Sequence, residues 1–312
     1  MPPAAGTRGG QAPAPQPYGP WVLQGPKEPP PPAARCRLFC FPQAGMGAWA
    51  FHGWQAALQD DLPELEVMPV ELPGRNSRVR EPALAEMGAV VQGVVGALLP
   101  EFRRAPFCLL GHSMGAWVAF EVAKELERRG FPPLKVYVSA NRAPSLADKR
   151  HDVDGARLSG LRCDAFWDKF FERYGPNPDL AHAAVRRFLY PLLKADFAVI
   201  ETYAPDPGAA PLAAPLDAFG ASEDNRYTRD QVAAWDRHTR GGFQMRYFDG
   251  PHRYIVDSPA AVQAYLRRDL RAVLARGDPP AEAGEEAAGP ATEKAAGGAT
   301  LSVEARMGGL RV

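Results

Sequence analysis

Between residues 35 and 277, short apolar runs alternate with longer stretches of helical periodicity, and this alternation restricts the fold more than any other property of the chain. "RCRLFCF" (35–41), "LEVMPVEL" (65–72), "APFCLLGH" (105–112), "LKVYVSA" (134–140), "APLDAFGA" (214–221) and "FQMRYFDG" (243–250) read as strands. "ALAEMGAVVQGVVGALL" (83–99), "GAWVAFEVAKELERRG" (115–130) and "SPAAVQAYLRRDLRAVLARG" (258–277) carry apolar residues at helical spacing. Strands that alternate with helices build a mostly parallel sheet with helices on both faces, an α/β fold. One stretch breaks the alternation. Residues 146–205 contain "CDAFWDKFFERYG" (163–175) and "AVRRFLYPLLKADFAVIETYA" (184–204), both amphipathic and aromatic-rich, with no strand between them. A helical insertion there, between two core strands, would cap the carboxyl edge of the sheet, where α/β folds hold their ligands.

The chain of 312 residues is 46% hydrophobic, enough for one domain of roughly 240 residues with a full core. The flanks differ. Residues 1–34 and 278–312 are rich in Pro, Ala and Gly and are expected to be disordered tails around a domain spanning 35–277. Thirty-six Lys and Arg balance 36 Asp and Glu, so no basic field calls for nucleic acid or an anionic membrane surface. No apolar run is long enough for a transmembrane helix, and the N-terminus lacks the apolar core of a secretory signal. The cysteines Cys36, Cys40, Cys108 and Cys163 show neither a disulfide framework nor a metal spacing and read as reduced thiols of a cytoplasmic protein.

"LLGHSMGAW" (109–117) contains G-x-S-x-G, a pattern that chance supplies in roughly one chain in ten of this length. Its surroundings carry the information. A strand precedes Gly111 and a helix follows Gly115, the order a nucleophile elbow requires, and Ser113 is the candidate nucleophile. The N–H of Met114, at the helix start, then faces an oxyanion. Of six histidines, His252 follows the last strand by a short loop and precedes the last helix, which makes it the candidate base. Asp224, in the turn-like "SEDN" beyond the strand 214–221, is the preferred orienting acid, with Glu223 as the alternative. The glycine-rich loop "FPQAGMGAW" (41–49) offers a second oxyanion donor from the backbone of Gln43 or Ala44.

Five blocks together resemble the type II thioesterases, the stand-alone α/β-hydrolases of polyketide and nonribosomal peptide synthesis. They are "LFCFPQAGMGAWAFHGW" (38–54), "ELPGRNSRVREP" (71–82), "GHSMGAWVAFEVAKEL" (111–126), "LYPLLKADFAVIETY" (189–203) and "GPHRYIV" (250–256). The resemblance covers about residues 35–275. It implies an α/β-hydrolase fold with a helical lid, here about 146–205, and a triad of Ser113, Asp224 and His252. It favours Ala44 with Met114 as the oxyanion hole. The implied reaction is hydrolysis of acyl groups from the phosphopantetheine arm of an acyl or peptidyl carrier protein, editing or releasing chains. No metal or other cofactor is implied, and a monomer is expected. The lid residues Phe166, Trp167, Phe170, Phe171, Phe188, Leu192, Phe197 and Tyr203 are candidate apolar surface for the acyl chain; of these Trp167, Phe171 and Phe197, with Gln43 and Met46 from the first loop, are expected to bind it, and Arg75 to brace a loop. Two departures stand out: Gly250-Pro251 replaces the usual glycine pair before the histidine, and Met46-Gly47 alters the first loop's glycine run. The rival readings are a carboxylesterase or lipase with the same triad and a non-catalytic docking module.

Overall fold

A computed structural model describes residues 18–23, 34–152 and 155–276. Six strands form one sheet: β1 (Cys36–Phe41), β2 (Leu65–Pro69), β3 (Phe107–His112), β4 (Lys135–Ser139), β5 (Leu216–Ala221) and β6 (Phe243–Phe248). Their order is β2-β1-β3-β4-β5-β6 and every pairing is parallel. The six strands match the six apolar runs. The helices are α1 (Trp54–Gln59), α2 (Met87–Arg104), α3 (Met114–Arg128), α4 (Cys163–Tyr174), α5 (Ala183–Thr202), α6 (Arg229–Ala233), α7 (Tyr254–Asp257) and α8 (Ala260–Arg276).

Strands β1 to β5 are buried on both faces. Side chains of a strand point alternately to opposite sides. Accordingly Phe39, Phe41, Leu109 and Val138 meet α2 and α3, while Leu38, Cys40, Leu110 and Tyr137 meet α1 and α8. The chain reverses its winding at β1 and β3, so the loops that follow these two strands flank one crevice at the carboxyl edge. Open α/β sheets bind ligands at such a point.

Helix α2 continues past Pro100 to Arg104, beyond the stop expected at 99. Phe102, 3% exposed, packs at 4.3 Å from the Phe39 ring and 4.9 Å from the Phe107 ring, and this contact holds the last turn in place. The proline lies on the exposed side, where its missing N–H is tolerated.

The expectation of a disordered tail over 1–34 fails for Tyr18–Leu23. Val22 is buried and bridges Val70 in antiparallel fashion, the Glu71 N–H donates to the Trp21 carbonyl at 2.8 Å, and the Arg78 guanidinium lies 4.1 Å over the Trp21 ring. Tyr18, Trp21 and Val22, all packed against the core, anchor this short segment within its Pro-rich context. The other tail residues, 1–17, 24–33 and 277–312, lie outside the described residues.

The insertion between β4 and β5 folds as α4 and α5 around its own small core of Leu158, Phe166, Trp167, Leu180, Leu193 and Phe197.

Candidate active site

Ser113 joins β3 to α3 with φ 54° and ψ −118°, a backbone conformation that L-residues rarely adopt and that marks stored strain. The glycines on either side make the turn possible. A Cβ on Gly111 would fall 1.9 Å from the Gly115 carbonyl oxygen, and one on Gly115 would fall 2.1 Å from that of Phe41. Backbone bonds fix the turn from the neighbouring strand: the Ser113 N–H donates to the Ser139 carbonyl at 2.8 Å, and Asn141 Nδ2 donates to the Ser113 carbonyl at 2.8 Å. Because the obstructing atoms are main chain, Gly111→Ala is expected to lose about 3 kcal/mol or more. Gly96→Ala, on the exposed side of α2 with nothing within 4 Å, should be neutral or stabilising. Urea midpoints of the two variants check this; equal midpoints would mean that the elbow can open.

His252 Nε2 lies 3.0 Å from Ser113 Oγ, and His252 Nδ1 lies 2.8 Å from Asp224 Oδ2. The remaining carboxylate oxygen, Asp224 Oδ1, accepts the Arg226 N–H at 2.8 Å. Two loops hold this line. The Glu223 N–H donates to the Gly250 carbonyl at 2.9 Å, and the Tyr254 N–H donates to the Pro251 carbonyl at 3.0 Å. Gly250 adopts φ 116°, and Pro251 follows it without displacing His252. Glu223, the alternative acid, is exposed.

Four of the other histidines are engaged elsewhere. His112 is fully buried, with Nδ1 2.9 Å from Ser139 Oγ, and burial pushes its pKa well below the usual imidazole range. Ser139 Oγ in turn lies 2.6 Å from the Tyr254 hydroxyl. His182 caps α5 by accepting the Ala184 N–H, His238 bonds Ser145, and the His52 ring lies 5.0 Å from the Trp49 ring, tilted by 46°.

The loop after β1 lies against the elbow, as the Gly115–Phe41 approach requires. Its turn is closed by the Met46 N–H donating to the Gln43 carbonyl at 3.1 Å. The Gly45 N–H donates to Asp196 Oδ2 at 2.7 Å, and Arg75 Nη1 donates to the Met46 carbonyl at 2.8 Å, so Arg75 does brace this loop. Gly47 has no room for a side chain, since a Cβ would sit 2.2 Å from Asn76 Nδ2 and 2.4 Å from Glu71 Oε2. Glu71 accepts the Ala48 N–H at 2.6 Å, and its burial raises its pKa above the ordinary carboxylate value. Met114 is the first residue of α3, where an N–H has no intrahelical partner.

Ser113 and His252 open into a cavity of about 570 Å³ between the sheet edge and the two inserted helices. Gln43, Ala44, Met46 and Phe197 line it. Trp167 and Phe171 do not: Trp167, 4% exposed, and Phe171 pack within the core of the insertion. The expectation that these two bind substrate is therefore corrected. Helix α4 presents Phe170 and Tyr174, four residues apart, to the cavity, and α5 presents Leu189, Leu193 and Phe197 at the same spacing. That spacing is visible in the sequence, but both helices carry a second apolar stripe, and only packing decides which stripe faces inward. Among the described residues no cluster of His, Cys, Asp or Glu is placed to hold a metal, and no helix is long and apolar enough to cross a membrane.

A family model described as a thioesterase domain matches residues 36–269. Thioesterase PikA5 of Streptomyces venezuelae is 37% identical over 232 residues, which cover 73% of this chain and 78% of that protein. The solved structure of RedJ, a thioesterase from the prodiginine biosynthetic pathway of Streptomyces coelicolor, superposes with a TM-score of 0.69 at 36% identity, covering 79% of this chain and 96% of RedJ. YbtT, a type II thioesterase from the yersiniabactin NRPS/PKS biosynthetic pathway, superposes with a TM-score of 0.68 at 27% identity, covering 78% and 96%.

Proposed function

The chain belongs to the thioesterase family, an α/β-hydrolase that cleaves thioesters, and on that premise we propose that it removes acyl groups from the phosphopantetheine arm of a carrier protein, with Ser113 as nucleophile, His252 as base and Asp224 as orienting acid. The observation that carries this reading is the line from Asp224 through His252 to Ser113, at 2.8 and 3.0 Å, with Ser113 and His252 lining a cavity that the inserted helices wall with apolar side chains. Two relatives support the choice of substrate: YbtT by its NRPS/PKS pathway and RedJ by its place in a biosynthetic pathway.

Ser113 Oγ attacks the thioester carbonyl while His252 Nε2 takes its proton. Asp224 holds the Nδ1–H tautomer and stabilises the imidazolium that forms. The N–H groups of Met114 and Ala44 receive the oxyanion. The C–S bond then breaks, and the thiolate leaves with the proton from His252. A thiol of pKa about 8.5 needs little acid assistance. Water, deprotonated by His252, attacks the acyl-serine. The C–O bond to Ser113 breaks, Ser113 recovers its proton, and the free acid departs. Every proton and electron pair is handled by Ser113, His252 and water, so the reading calls for no cofactor beyond the arm that carries the substrate. All these groups come from one chain, so the reading needs no second copy to complete the site, and it has the protein act as a monomer, in the cytoplasm, alongside a synthase. The inserted helices serve in this reading as a lid over the acyl chain, which lies against Met46, Phe170, Leu189, Leu193 and Phe197.

The test is to present one acyl group in three forms: on a holo carrier protein, on a pantetheine-like thiol and as a p-nitrophenyl ester. The carrier-bound thioester should show the highest kcat/KM, by at least about 10-fold over the pantetheine-like thioester, a gain of roughly 1.4 kcal/mol. Preference for the oxygen ester with no gain from the carrier would replace this reading with a general carboxylesterase.

A further inference from the structure

The inserted helix α5 does more than wall the cavity. Asp196, on α5 and 1% exposed, faces Arg75, 3% exposed, in a two-point ion pair: Arg75 Nη2 reaches Asp196 Oδ1 at 2.8 Å and Nη1 reaches Oδ2 at 3.1 Å. Both partners also grip the backbone of the loop after β1. Asp196 Oδ2 accepts the Gly45 N–H at 2.7 Å, and Arg75 Nη1 donates to the Met46 carbonyl at 2.8 Å. These two attachments lie on the C-terminal side of Ala44, within the turn that the Met46 N–H and Gln43 carbonyl close. The turn also packs against the same helix, since a Cβ on Gly45 would lie 2.6 Å from Leu193 Cδ2.

We infer that Asp196 and Arg75 are positioning residues that couple the seating of α5 to assembly of the oxyanion hole. The inference rests on the assignment of the Ala44 N–H proposed above. With α5 seated, the ion pair holds the 43–46 turn and aims that N–H at the crevice. With α5 displaced, Gly45 loses its acceptor and Met46 its donor, and the turn relaxes. A substrate that draws the insertion down onto its acyl chain thereby completes the site that stabilises its own transition state.

The experiment compares Asp196→Asn, Asp196→Ala and the double variant Arg75→Met/Asp196→Leu on a pantetheine thioester, with kcat expressed per serine titrated by a phosphonate. Replacing a buried ion pair by apolar residues of similar volume preserves folding in other proteins, so the double variant separates positioning from stability. The double variant and Asp196→Ala should lose about 10²-fold in kcat with KM changed less than about 3-fold, the loss typical of one misplaced oxyanion donor. Asp196→Asn keeps an oxygen for the Gly45 N–H and should recover most of that loss whatever its melting temperature. Wild-type kcat in the double variant, or kcat that tracks melting temperature across the series, would overturn the inference. A Ser113→Ala control distinguishes the two levels of failure. Activity surviving in Ser113→Ala sinks the catalytic assignment itself, whereas a dead Ser113→Ala beside a fully active double variant sinks the coupling alone.

Discussion

Ser113→Ala should lose thioester hydrolysis by about 10⁴-fold or more in kcat while remaining folded. The size follows from the site's construction. His252 Nε2 stands 3.0 Å from Ser113 Oγ, and the aspartate behind it orients the imidazole toward that oxygen, so removing the hydroxyl leaves the base and acid with nothing to activate. The fold should survive because the backbone of residue 113, not its hydroxyl, carries the bonds to Ser139 and Asn141. Alanine also occupies positive φ with no more strain than serine. What remains in such a variant is catalysis by the oxyanion donors and by substrate positioning. A fluorophosphonate supplies the second measurement: intact mass should show one adduct on the wild type and none on Ser113→Ala. Retention of an adduct, or of more than a hundredth of kcat, would place the nucleophile elsewhere.

The sheet was legible in the sequence because β1 to β5, parallel and buried on both faces, read as short continuous apolar runs, while β6, only partly buried, places Phe243, Met245 and Tyr247 at every second position. The meeting of Ser113 with His252 was legible for a topological reason. Each follows a strand closely, and parallel strands deliver all such residues to one edge. Asp224 needed more, since Glu223 stands beside it and only the turn geometry sends one carboxylate inward and the other to solvent. Three features resisted reading. Helical periodicity shows that α4 has apolar stripes, but Phe170 and Tyr174 face the cavity while Trp167 and Phe171 face the helix partner, and composition does not separate them. The docked segment Tyr18–Leu23 is short and lies within Pro-rich sequence, where averaging over composition hides three anchoring side chains. The pair Arg75–Asp196 joins residues 121 positions apart, and no local spacing announces such a contact. The short helix α6 did carry a signal, since Thr228 and Gln231 form a capping box at its start.

Asp224→Asn is expected to cost about 10⁴-fold in kcat, and the local hydrogen bonds explain why so small a change should have so large an effect. One carboxylate oxygen, Oδ1, accepts the Arg226 N–H at 2.8 Å, and the other, Oδ2, faces His252 Nδ1 at 2.8 Å. An asparagine must satisfy the Arg226 N–H with its single oxygen, because its NH₂ group cannot accept. The loop therefore keeps its shape, and the NH₂ group is turned toward His252. An N–H donor in that place demands an unprotonated Nδ1, which puts the proton on Nε2. Nε2 is the atom that must accept the proton of Ser113, so the imidazole is held in the tautomer that cannot act as base. The lost negative charge removes stabilisation of the imidazolium as well. Glu223→Gln, one residue away and exposed, provides the internal comparison and should retain activity within about 2-fold. KM should be nearly unchanged in both variants, since neither side chain lines the cavity. Should Asp224→Asn keep more than a tenth of kcat, or should Glu223→Gln fall with it, the acid would have to be reassigned and the tautomer argument abandoned.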